Sequence, residues 1–85
     1  MAPEKVMWMP VVVPAFQEAP PELQTRIRER MVSLHRNPYP PEVIQVGRYL
    51  LGLRLLDNVY IQYEILKRHL VVTHLVIIPG EIYQP

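Results

Sequence analysis

Residues 59–65 alternate without a break: Val59, Ile61, Tyr63 and Ile65 are large and apolar, and Tyr60, Gln62 and Glu64 fall between them. A period of two belongs to an extended strand with one buried and one wetter face, and a helix would scatter those four residues around its axis. Just upstream, Leu53 and Leu55 flank Arg54, and Asp57-Asn58 joins the two runs as a two-residue connection of types that tolerate positive φ. Residues 49–56 and 59–66 therefore read as a β-hairpin. Lys67, Arg68 and His69 form a polar turn into residues 70–78, which are nearly all apolar and read as a central strand covered on both faces, closed by Pro79-Gly80. A short strand near residues 43–46 precedes the hairpin, with Gly47 and Gly52 expected at bulges or turns. Residues 43–78 are thus expected to fold as an antiparallel meander.

A sheet with one apolar face needs cover, and the chain offers a single helix for it. Leu23, Ile27, Met31 and Leu34 recur at intervals of four, four and three, one stripe on a helical wheel. Pro21 suits the first turn, where a missing N–H costs nothing, and Glu22 suits the positive end of the helix dipole. The helix is expected to stop near Asn37, because the residue before Pro38 is pushed out of the α region. Residues 6–13 (VMWMPVVV) read as a strand that Pro10 confines to an edge or a bulge. Residues 14–20 (PAFQEAP) hold one helical turn anchored by Phe16, and residues 37–43 (NPYPPEV) form a proline-stiffened crossover. The expected fold class is α+β: a small antiparallel sheet, a meander of three to four strands plus the N-terminal strand, packed on one main helix with a short helical turn before it. Residues 1–85 are read as a single domain.

Several chemistries are set aside on composition. The chain has no cysteine, three glycines and one serine, Ser33, and its three histidines lack ligand spacing. No thiolate, phosphate-cradling loop, nucleophile elbow or metal site is expected, and no cofactor. The longest apolar run is far short of the roughly 20 residues that span a bilayer, and Pro3, Pro10 and Pro14 break up any signal-like helix. A cytoplasmic protein with no membrane contact is expected. Net charge is +1, yet residues 26–68 hold eight basic groups against four acidic ones, a lean toward a polyanionic partner.

The candidate functional groups on the sheet are Arg48, Arg54, Gln62, Glu64 and His74, with Tyr83 beyond the last strand. Arg54 interrupts a leucine-rich strand and must reach solvent or pair across to Glu64 or Gln62. His74 is either a hydrogen-bonded strand histidine or a base, and Tyr83 either a lid on the core or a functional aromatic.

The helix PELQTRIRERMVSL, the break HRNPYPPEV, the hairpin LRLLDNVYIQYEI with its LR-x-x-D-x-x-x-x-YEI pattern, the strand LVVTHLVII and a terminal tyrosine together resemble the RelE/ParE toxin superfamily over nearly the whole chain. The resemblance implies the toxin component of a type II toxin–antitoxin system acting as a ribosome-dependent, metal-independent mRNA endonuclease, with a cognate antitoxin, the ribosome and mRNA as partners. By position it implies Arg54, His74 and Tyr83 as catalytic residues, and Arg48, Arg28, Lys67 and Arg68 as the basic residues that bind substrate. The lysines and the last-strand arginine of the ribonuclease branch have no counterpart here. The resemblance also covers a gyrase-inhibiting branch, which acts by protein binding, and an inactive toxin-fold homodimer.

Overall fold

The computed structural model describes residues 3–78. In chain order these form β1 (Lys5–Trp8), α1 (Val13–Gln17), α2 (Pro21–Arg36), β2 (Ile44–Gln45), β3 (Leu51–Leu56), β4 (Val59–Leu66) and β5 (His69–Ile77). The strands make one five-stranded sheet in the order β1-β5-β4-β3-β2. β2 through β5 are the expected antiparallel meander. β1 adds to it in parallel, with Lys5 opposite His69 and Trp8 opposite Val72, so the sheet is mixed. The N-terminal strand reaches the last strand only after the chain has crossed the sheet through both helices, and the crossing returns β5 in the direction of β1.

One face of the sheet is closed. Ile27, Met31 and Leu34 of α2 are buried against Leu53, Leu55, Val59, Ile61, Tyr63, Leu70 and Val72. Four of those sheet residues, Val59, Tyr63, Leu70 and Val72, have no measurable exposure. Pro21 opens α2 with Glu22 in its first turn, and the helix ends at Asn37, whose extended backbone (φ −139°) is what the following Pro38 demands. Arg30 fastens the helix to the sheet by donating from Nε to the Leu55 carbonyl at 3.0 Å. Tyr63 sits at the centre of the core, its hydroxyl donating to the Pro38 carbonyl at 2.5 Å and so tying the crossover to β4. Burial pushes the Tyr63 phenol up to about 12, and Tyr39 adds to the shift. In the last turn of α2, His35 donates from Nε2 to the Pro3 carbonyl at 2.6 Å.

Four expectations change. The strand expected over residues 6–13 ends at Trp8, because Pro10 has no N–H to continue the ladder; Val12 and Val13 bond back to Met9 and Pro10 and turn the chain into α1. β5 is central in the sheet, but the described residues cover only one of its faces, since both helices lie on the same side; His74, Val76 and Ile78 are exposed. Gly47 lies in the β2–β3 turn as expected, without positive φ, whereas Gly52 stands in the regular ladder opposite Ile44. A Cβ there would come within 3.0 Å of Val46 Cγ1, so the glycine lets β2 approach. Positive φ falls instead at Lys67 (49°) and Arg68 (70°), the two-residue turn between β4 and β5. The Asp57-Asn58 turn keeps negative φ, and the adjacent irregularity at Leu55 absorbs the twist the hairpin needs.

Candidate functional site

The other face of the sheet is open, and two irregularities decide what stands on it. In β3, Arg54 pairs with Tyr60 and Leu56 with Val59, which leaves Leu55 as an extra residue. In β5, His74 pairs with Gln62 and Val72 with Tyr63, which leaves Thr73 extra. The second bulge matters most. Leu70 and Val72 face the closed core, so strict alternation would have turned His74 inward as well. The extra residue flips the register, and His74 emerges on the open face while Thr73 is only 9% exposed.

Side chains from four strands thereby line one cleft of about 370 Å³: Ile44 from β2, Arg54 from β3, Tyr60 and Gln62 from β4, and His74 and Val76 from β5. Glu42 and Val46, flanking β2, complete its rim. Arg54 and His74 lie two strands and one pleat apart, so their Cα atoms are roughly 12 Å apart. Long side chains can close that gap on a group the size of a phosphate. The Arg54 guanidinium folds back, donating from Nε and Nη2 to the Asp57 carbonyl at 3.3 and 3.2 Å, and lies 5.9 Å from the Tyr60 ring centroid. Neither Glu64 nor Gln62 takes it up, and no carboxylate among the described residues pairs with it. The charge is held in position and left un-neutralised, the state in which a guanidinium binds an incoming anion. His74 approaches the Thr73 hydroxyl through Nδ1 at 2.9 Å. Among the described residues, no group of three His, Asp or Glu side chains stands where a metal ion could be held.

Of the residues expected to act together, Arg54 and His74 share the cleft. Tyr83 lies outside the described residues. Arg48 is in the β2–β3 turn, exposed, with its guanidinium 5.5 Å from the Tyr49 ring centroid, and it does not line the cleft. Arg28 belongs to a separate surface hollow with Trp8 and Phe16, its guanidinium 5.2 Å above the Phe16 ring. Lys67 and Arg68 occupy the β4–β5 turn, where Arg68 meets Glu4 at 3.3 Å. Thr73 and Tyr60 carried no sequence signal: a threonine in an apolar run reads as strand filler, and a bulge leaves no trace in composition.

No protein-family model matches the sequence, and no curated protein matches it either. Solved structures do. The isolated RelE toxin of E. coli superposes with a TM-score of 0.74 at 10% identity, covering 93% of this chain and 89% of that one. The RelBE2 toxin–antitoxin complex from Mycobacterium tuberculosis matches with a TM-score of 0.74 at 16% identity, over 88% of this chain and 98% of its own. The archaeal RelE–RelB complex from Pyrococcus horikoshii matches at 0.69 and 22% identity, over 86% and 92%. At such identities the likeness is one of fold: this chain has the fold of the RelE-like toxin superfamily. Among the described residues no helix is long and apolar enough to cross a membrane.

Proposed function

We propose that this chain, which carries the RelE-like toxin fold, is the toxin of a type II toxin–antitoxin pair and cleaves mRNA on translating ribosomes in the cytoplasm, as a single metal-independent domain. One observation carries the reading: an un-neutralised arginine and a histidine line the same open cleft, on the sheet face that neither helix covers. Transesterification of RNA requires a base for the ribose 2′-OH, a cation for the charge that builds on the phosphate and a proton for the departing 5′-oxygen. His74 takes the 2′-OH proton as the new O2′–P bond forms. Arg54 turns from the Asp57 carbonyl to the phosphate oxygens as the P–O5′ bond breaks. Tyr83 supports the leaving group, which takes a proton from water and ends as a 5′-OH beside a 2′,3′-cyclic phosphate. Arg48, in the β2–β3 turn two residues beyond Val46, takes the next phosphate along the strand. Arg28, Lys67 and Arg68 meet the surrounding polyanion away from the cleft. A cognate antitoxin is the partner, by analogy with the RelE–RelB and RelBE2 complexes.

A reading as a protein-binding, gyrase-inhibiting member rests on a different observation: the same cleft presents Ile44, Val46 and Val76, all exposed and apolar. A purified translation extract separates the two. Expected is cleavage of ribosome-engaged mRNA that Arg54→Ala reduces by about a hundredfold or more, as removal of a transition-state charge contact does. Intact mRNA with the wild-type protein, together with inhibited DNA supercoiling, would replace the nuclease reading with the second.

A further inference from the structure

Three polar atoms meet at the β5 bulge. Thr73 Oγ1 lies 3.2 Å from the Gln62 carbonyl oxygen and 2.9 Å from His74 Nδ1. A carbonyl oxygen only accepts, and a threonine hydroxyl has one proton to give. Both contacts are hydrogen bonds only when that proton goes to Gln62 and the ring donates Nδ1–H to the hydroxyl oxygen. The neutral ring then carries its lone pair on Nε2. We infer that Thr73 is a positioning residue that fixes His74 in the Nδ1–H tautomer and so makes Nε2 the nitrogen that takes up and releases protons in the cleft.

Three features make this a built arrangement. Thr73 is 9% exposed, so water competes poorly for its hydroxyl, while the ring it holds is exposed. Its β-branched side chain has few χ1 options, which keeps the hydroxyl on the Gln62 carbonyl. The residue that orients the ring is also the extra residue of the bulge, so one insertion both turns His74 outward and fixes its protonation site. In the opposite tautomer the hydroxyl must give up the Gln62 carbonyl to donate to Nδ1. Losing one hydrogen bond biases the tautomer ratio by several-fold to about tenfold. Protonation leaves the Thr73 contact intact, because the imidazolium keeps Nδ1–H and adds its second proton at Nε2. Proton uptake and return therefore need no ring flip and no tautomer exchange. The charged groups sharing the cleft are Arg54 and, at its rim, Glu42.

The catalytic meaning of this tautomer rests on the nuclease reading, but the tautomer is a property of the free protein and is tested on it. Two-bond ¹H–¹⁵N correlation spectra of the full chain, recorded well above the ordinary histidine pKa of about 6.5, report which ring nitrogen carries the proton. His74→Gln assigns the signals against His35 and His69. Expected is a predominantly Nδ1–H ring at His74, a shift toward Nε2–H in Thr73→Val, and the wild-type pattern in Thr73→Ser. An Nε2–H majority in the wild type overturns the inference whatever the variants do. So does an unchanged ratio in Thr73→Val with the His35 signals undisturbed. In translation extract, Thr73→Val lowers kcat by about tenfold at unchanged KM and Thr73→Ser restores it. An unchanged kcat despite a changed tautomer overturns the positioning role. Absence of cleavage by the wild type overturns the nuclease reading, and the spectra then still decide the tautomer.

Discussion

The closed and open faces of this sheet are cut from the same strands by alternation, and they are held by different physics. On the closed face Val59, Ile61 and Tyr63 are at most 1% exposed, with the helix stripe of Ile27, Met31 and Leu34 packed above them. On the open face Arg54, Tyr60 and His74 are exposed, and their positions come from two bulges and a few hydrogen bonds. The difference separates stability from chemistry, and substitutions on the paired strands β3 and β4 can test it. Ile61→Ala empties a fully buried site and is expected to cost about 2–5 kcal/mol in urea or thermal unfolding. Arg54→Ala, on the exposed face of the neighbouring strand, is expected to stay within about 0.5 kcal/mol of wild type. A large loss at Arg54 would mean that the open face also holds the fold together.

Tyr63 sharpens the contrast because its polar tip is buried. Its phenol, normally near 10, stands at about 12 in the fold. A folded-state pKa above the unfolded value means the stabilisation is complete below pH 10 and is lost as pH rises through 12. Unfolding free energy is expected to fall across that window by up to about 1.4 kcal/mol per pH unit, roughly 2–3 kcal/mol in all. Tyr63→Phe removes that slope, so comparing the two pH curves isolates it from other titrating groups. The same variant loses about 1–3 kcal/mol at neutral pH by leaving the Pro38 carbonyl without its donor. A wild-type curve parallel to the variant's would place the phenol in contact with water.

Gly52 marks where the open face is tightest. Its hydrogen fits under Val46, and a methyl group would meet a stiff β-branched side chain at 3.0 Å. Gly52→Ala is expected to cost about 1–3 kcal/mol through overpacking. Hydrogen exchange should show the loss first at the Val46 amide, which bonds to the Leu50 carbonyl at 2.9 Å beside the strained contact. Unchanged protection there would show that β2 can shift without losing its turn.

The closed face was legible in the sequence because burial writes itself as period. The stripe of Leu23, Ile27, Met31 and Leu34, the alternation from Val59 to Ile65 and the stop before Pro38 all follow from repeat lengths and backbone sterics. The open face was legible only in part. Arg54 stood out as a charge among leucines, yet its folding back onto the Asp57 carbonyl depends on a bulge. His74 came to the open face through an insertion that alternation contradicts, and Thr73, which produces it, looks like any strand threonine. The apolar run of residues 70–78 suggested cover on both faces, although hydrophobicity alone cannot distinguish a second layer from a surface left open for use. Residue 83 was singled out by position and lies outside the described residues.

The two hairpin turns repeat the contrast at small scale. Asp57-Asn58 has residues suited to positive φ and does not use it, and Lys67-Arg68 has residues unsuited to it and does. The second turn is held in place by the N-terminal segment, through the Glu4 amide on the Arg68 carbonyl at 2.7 Å and the Glu4–Arg68 ion pair at 3.3 Å. That pair is well exposed and worth no more than about 1 kcal/mol, so it offsets only part of the local strain. Lys67→Asn keeps every Arg68 contact and puts at φ 49° a residue that enters the left-handed region readily. It is expected to stabilise the chain by about 0.5–1 kcal/mol, read as a higher urea midpoint with an unchanged m-value. A neutral or destabilising outcome would mean that the Lys67 side chain contributes to the fold what its backbone costs.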